Sequence, residues 1–233
     1  MRCFDLGAQT PTAADWMERG RSDLKRFFFT GAEPDFRQAI EMDNASASAY
    51  VGLARALLGE LPPNLHIAAD VRGNLPKAEA AARKAIYLAP RNAEALCVLG
   101  IVNYKIALTL KDGDQRAARL NEAKDDFTRA LDVNPQLAEA CYRLGYLIHD
   151  QIGKPLIGAL MAAETAQMSI QPSLIQDGSA RASVRSQYAE PVEQAISYTE
   201  HALAIDPGYD AAAKQYSELL KLRAILRDNV SAQ

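Results

Sequence analysis

Ala130-Leu131-Asp132-Val133-Asn134-Pro135 reads as the last turn of a helix followed by a stop, because a proline cannot continue the ladder of N–H to C=O bonds. The same phrase stands at three other places: Ala39-Ile40-Glu41-Met42-Asp43-Asn44, Ala85-Ile86-Tyr87-Leu88-Ala89-Pro90 and Ala202-Leu203-Ala204-Ile205-Asp206-Pro207. After each, a two-residue gap precedes a new helix, predicted to begin at Ala47, Ala93, Ala138 and Asp210. Recurrence at this period identifies a repeat array, in which one helical unit is copied and stacked.

The other half of each unit lies upstream of its phrase. First helices carry Trp16-x2-Arg19-Gly20, Tyr50-x2-Leu53-Ala54, Leu96-x2-Leu99-Gly100 and Cys141-x2-Leu144-Gly145, and second helices carry Ala32-x3-Phe36, Ala78-x3-Ala82, Ala123-x3-Phe127 and Ala195-x3-Thr199. Gly or Ala on one helix facing Ala on the other permits a close crossing, and bulky residues such as Trp16, Tyr50, Leu96, Phe36 and Phe127 fill the space between successive pairs. No pair buries both of its faces alone, so the stack is the folding unit. Alanine supplies 42 of the 233 residues, which lowers the cost of helix throughout and favours an all-α chain.

These motifs resemble the tetratricopeptide repeat family, whose 34-residue unit is a pair of antiparallel helices with a large residue, Leu-Gly, Ala, a bulky residue, Ala and Pro at set positions. The resemblance covers residues 13 to about 227 and implies an all-α, right-handed superhelical solenoid of antiparallel helix pairs. It divides the chain into an N-terminal extension (1–12), repeats at 13–46, 47–92, 93–137 and 138–209, the last with an insert at 153–190, a closing helix at 210–227 and a tail at 228–233. Thr12-Ala13-Ala14-Asp15 has the form of a capping box ahead of the first helix. The stretch from Phe36 to Ala56, with the loop, proline and alanine-rich helix after it, also resembles repeat regions attached to some bacterial cyclases and transcription regulators.

Three repeats depart from the family spacing. The small residue of the first helix and the first Ala of the second are 12 apart from Gly20 to Ala32, but 24, 23 and 50 apart in the next three repeats. In the second, Pro62-Pro63-Asn64 and Gly73-Asn74-Leu75-Pro76 predict a loop and then a helix whose first turn holds Pro76. In the third, Lys111-Asp112-Gly113-Asp114 is the sole breaker, so both helices are lengthened. In the fourth, Pro155 to Glu164 has an amphipathic pattern and reads as an extra helix, either a cap or a lid, while Gln176 to Ser186 reads as a polar loop.

The balance of charge and chemistry excludes several functions. Twenty-six Lys and Arg against 29 Asp and Glu leave no cationic excess for nucleic acid. No apolar run reaches the length of a membrane span, and Met1-Arg2-Cys3-Phe4-Asp5 lacks the apolar core of a signal peptide. The expected compartment is the cytoplasm, or the periplasm for a chain whose leader has been removed. Cys3, Cys97 and Cys141 are odd in number and widely spaced, and His66, His149 and His201 have no ligand spacing, so neither a disulfide framework nor a metal is expected. Asp112-Gly113-Asp114 is a helix–helix turn rather than a calcium loop, Gly153-Lys154-Pro155 lacks the rest of a phosphate loop, and Asp125-Asp126 reads as a solvated helix face. With no catalytic constellation, the chain is not expected to be an enzyme or to hold a cofactor.

In the tetratricopeptide repeat family the first helices line a concave face. Carried onto this sequence, that geometry names Met17, Arg21, Val51, Arg55, Cys97, Ile101, Tyr104, Tyr142, Tyr146 and His149 as the partner-binding groove, aromatic toward its C-terminal half and positive at Arg21 and Arg55. Val51, Arg55, Cys97 and Ile101 do not match the lysines and asparagines with which some family members grip a terminal carboxylate. The tyrosines either pack against the inserts or contact a ligand. The expected function is a non-catalytic scaffold holding a protein or peptide segment, an acidic one being favoured by the two arginines. A small-molecule-binding accessory protein whose insert closes the groove, and a scaffold that assembles with its own copies, are the alternatives.

Overall fold

The computed structural model describes residues 10–59, 71–169 and 178–227, and among these it contains nine helices and no strand. They are α1 (Ala13–Lys25), α2 (Phe29–Met42), α3 (Ala47–Gly59), α4 (Val71–Leu88), α5 (Ala93–Thr109), α6 (Gly113–Val133), α7 (Ala138–Ser169), α8 (Gly178–Ile205) and α9 (Asp210–Arg227). The fold is all-α and built of helix pairs in repeat. Two compact units divide it, Met1–Val133 holding α1 to α6 and Asn134–Gln233 holding α7 to α9.

The recurring phrase acts through one turn used four times. Ser46, Asn92, Leu137 and Tyr209 each donate a backbone N–H to the carbonyl three residues back, on Asp43, Ala89, Asn134 and Asp206. In three of the four turns the side chain of that same residue also accepts a backbone N–H two residues on, at 3.0 Å: Ala45 to Asp43, Gln136 to Asn134 and Gly208 to Asp206. Asp and Asn favour this local bond, which is why they close these helices. Where Ala89 has no such group, Asn92 caps α5 instead by accepting from Ala95 N–H at 3.0 Å. Thr12 and Asp15 form the full reciprocal capping box on α1.

In the first unit each helix packs on the next, and the first helices of successive repeats also touch, α1 on α3 and α3 on α5. Phe36 is fully buried, and its ring lies against two glycines: a Cβ on Gly20 of its own pair would sit 2.9 Å from the ring, and one on Gly52 of the next pair would sit closer still. The glycines are thus small for the sake of an aromatic ring, and not only so that two alanines can face each other. Replacing Phe36 by Ala removes a buried ring, a change that costs about 3–5 kcal/mol.

Polar groups are buried in this unit as well. Asn103 of α5 donates to Asp126 of α6 at 2.9 Å and accepts from Arg119 at 2.8 Å, and Arg119 reaches Glu79 of α4 at 3.2 Å. Asp126 is therefore core, contrary to its reading as a solvated face, while Asp125 is exposed. Burial pushes the Asp126 carboxyl above the ordinary aspartate range.

Helices run further than the breakers suggest. α4 begins at Val71, so Gly73 and Asn74 are helical and Pro76 sits in its second turn; Pro62-Pro63-Asn64 lie outside the described residues. α5 and α6 are both long, parted only at Leu110 to Asp112. α7 continues without a break through Pro155, so the amphipathic stretch is an extension of the first helix rather than an extra one. A proline inside a helix loses one backbone bond and crowds a carbonyl, at about 3 kcal/mol. The adjacent Leu156 is fully buried among Ile148, Val184, Val192 and Leu219, and burial of a leucine is worth about 1.5–3 kcal/mol, so packing offsets most of the cost.

The expected polar loop is the other correction. Its described part, from Gly178, is the start of α8, because Val184, Tyr188 and Val192 form a buried stripe at four-residue spacing against α7 and α9. Arg185, one residue along, donates to the carbonyl of Leu226 at 2.8 Å and so closes the end of α9. Gln176, Asp177 and both chain ends lie outside the described residues, as does His66.

Candidate functional site

The second unit is three helices in mutual contact, α7 on α8, α8 on α9 and α7 on α9. Along α7, Tyr142, Tyr146 and His149 repeat at helical spacing and point to one side, where α9 brings up Ala211, Lys214, Gln215 and Glu218. Asp150, Lys154 and Ile157 extend the α7 wall by two more turns. Together these side chains line a cleft of about 480 Å³, within the size range of small-ligand and peptide pockets.

The aromatic end is a built cluster. The Tyr142 ring lies 5.9 Å from Tyr146 and 5.0 Å from Tyr209, the residue just before α9, and the Arg143 guanidinium stands 5.4 Å from the same ring. Burial raises the Tyr142 phenol above its ordinary range, so it is a neutral hydroxyl across physiological pH. On the α9 wall, Gln215 is only 4% exposed, and among the described residues neither atom of its carboxamide has a hydrogen-bond partner.

Of the ten residues expected in a groove, the structure gathers three in this cleft: Tyr142, Tyr146 and His149. Val51, Cys97 and Ile101 are buried as part of the core. Met17 is half-buried and packs on the cluster of Ala32, Phe36 and Ala56. Arg55 and Tyr104 are half-buried, and Arg21 is exposed on α1. The α9 wall was missed because that helix reads as a cap. Its signal was present: Ala211, Lys214 and Glu218 stand at the same offsets from Asp210 as Ser48, Val51 and Arg55 do from Ala47.

Outside the cleft, Cys141 Sγ lies 3.7 Å from His201 Nδ1, but burial raises that thiol above its ordinary range and keeps it protonated, the reverse of an activated nucleophile. Among the described residues no group of three or more His, Cys, Asp or Glu side chains is placed to hold a metal ion, and no helix is long and apolar enough to cross a membrane.

A thermophilic tetratricopeptide-repeat protein of Thermus thermophilus superposes on 90% of this chain and 100% of its own, with 16% identity and a TM-score of 0.53. The chain has the tetratricopeptide-repeat fold. A candidate protein-binding protein from Bacteroides ovatus is similar over 93% of this chain and 100% of its own, at 14% identity and a TM-score of 0.54. No protein-family model matches, and no curated protein matches in sequence. The tetratricopeptide-repeat architecture explains the cleft's walls: α9 follows the α7–α8 pair where the first helix of a further repeat would stand, so it faces α7.

Proposed function

We propose that this tetratricopeptide-repeat chain is a non-catalytic interaction module that docks a segment of a partner protein in the cleft between α7 and α9. The observation that carries the reading is the convergence of Tyr142, Tyr146 and His149 with the α9 residues on one cleft. Tyrosines give large contact area at small entropy cost and keep a polar handle, as recognition surfaces do. The cleft walls hold two carboxylates, Asp150 and Glu218, and two ammonium groups, Lys154 and Lys214, so the partner segment is mixed or neutral in charge, in place of the acidic one that Arg21 and Arg55 favour.

The test is selection from a phage-displayed library of random peptides, run in parallel on the wild type and on the Tyr142→Ala, Tyr146→Ala double variant. Sequences enriched on the wild type alone support the reading. Enrichment of the same sequences on both proteins, or on neither, overturns it.

A further inference from the structure

Gln215 is a polar side chain that no described residue bonds. It lies in the wall of the cleft, 4% exposed, with both Oε1 and Nε2 unpartnered among the described residues. Its neighbours do not relieve this. The place a Cβ on Gly145 would take lies 3.4 Å from Nε2 and 2.7 Å from the Thr199 hydroxyl, which donates to the carbonyl of Ala195 at 2.7 Å. A leucine of similar length would fill the same space with no polar group to desolvate, so the amide is a cost to the fold that calls for a role in binding.

A carboxamide presents an N–H donor and a C=O acceptor on one edge. A carboxylate or phosphate satisfies only the donor, and an ammonium only the acceptor; in an extended peptide the N–H and C=O of one residue point to the same side and satisfy both at once. The charges point the same way, since Asp150 and Lys154 on one wall and Lys214 and Glu218 on the other cancel and favour neither an anion nor a cation. Resting on the proposed docking of a partner segment here, we infer that Gln215 reads the main chain of that segment by pairing both atoms of its carboxamide with the N–H and C=O of one residue, while Tyr142 and Tyr146 flank the bound chain.

The experiment takes a peptide enriched by the selection above and measures its affinity, by fluorescence anisotropy, for the wild type and for Gln215→Leu. Affinity is expected to fall about ten- to a hundredfold in the variant. Melting temperature is expected to rise by about 2–4 °C, since an unsatisfied buried amide has been replaced by an apolar side chain. In a second arm, each backbone amide of the peptide is replaced in turn by an ester. One position is expected to weaken binding to the wild type about tenfold and to have no further effect on Gln215→Leu. Equal affinity of Gln215→Leu and wild type, a lowered melting temperature, or an ester scan with no such position overturns the inference while leaving the cleft as the docking site. Failure of the library selection itself would remove the docking reading and this inference with it.

Discussion

The ring of Phe127 occupies the place a side chain at Gly100 would need: a Cβ there would lie 2.6 Å from the ring edge. The same relation joins Gly20 to Phe36, and in the fourth repeat Gly145 faces Thr199 Oγ1, 2.7 Å from where its Cβ would be. One small residue on the first helix therefore receives one side chain from the second helix, four positions beyond the repeat alanine. Gly100→Leu is expected to destabilise the chain by at least about 1–3 kcal/mol, the usual range for overpacking a core. Gly158→Ala on α7, where a Cβ would meet nothing within 4 Å, is expected to be stabilising by about 0.5–1 kcal/mol through helix propensity alone. Urea melts of the two variants check the contrast, and equal effects would contradict it.

The passage of α7 through Pro155 rests on Leu156. Truncating that fully buried side chain, Leu156→Ala, is expected to cost about 2–5 kcal/mol, whereas Pro155→Ala is expected to raise the melting temperature by restoring the lost backbone bond. A Pro155→Ala variant that melts lower than wild type would mean that the proline marks a real break.

Two carboxyl groups of the first unit titrate in opposite senses. Burial is the main influence on Asp126 and pushes it up, against the Asn103 bond and the Arg129 guanidinium. For Glu79 burial also pushes up, but the combined hold of Arg83 and Arg119 outweighs it and leaves the group below its ordinary value. A raised folded value gives stability that is full below the unfolded value and is lost as pH rises through the folded one; a lowered value gives stability that is full above the unfolded value and is lost as pH falls. Between about pH 3 and about pH 7, the stability of wild type relative to Asp126→Asn is therefore expected to fall with rising pH, and that relative to Glu79→Gln to grow. Chemical denaturation across that range checks both signs, and two curves running parallel to wild type would refute the assignment.

Legibility in the sequence followed the range of the interactions involved. Helix starts at Ala47, Ala93, Ala138 and Asp210 are set by turns closed within three or four residues, by Asp43, Asn92, Asn134 and Asp206, so local chemistry announces them. The extent of α7 past Pro155 was not legible, because the local breaker there is overruled by burial against residues far along the chain, such as Val184 and Leu219 on Leu156. The burial of Asp126 depended on Asn103, 23 residues away, and a charged pair of residues gives no sign of such a partner.

From the order of residues alone came the repeat, the all-α class and the presence of Tyr142, Tyr146 and His149 on one helical face, since periodicity and turn chemistry are properties of neighbours in sequence. Which faces meet was settled only by packing. Contact between α7 and α9 turned a supposed cap into a cleft wall and left Gln215 buried with both polar atoms unpaired among the described residues, while packing within the first unit put Val51, Cys97 and Ile101 in the core, because burial and hydrogen bonding are decided by tertiary contact and not by neighbours in sequence.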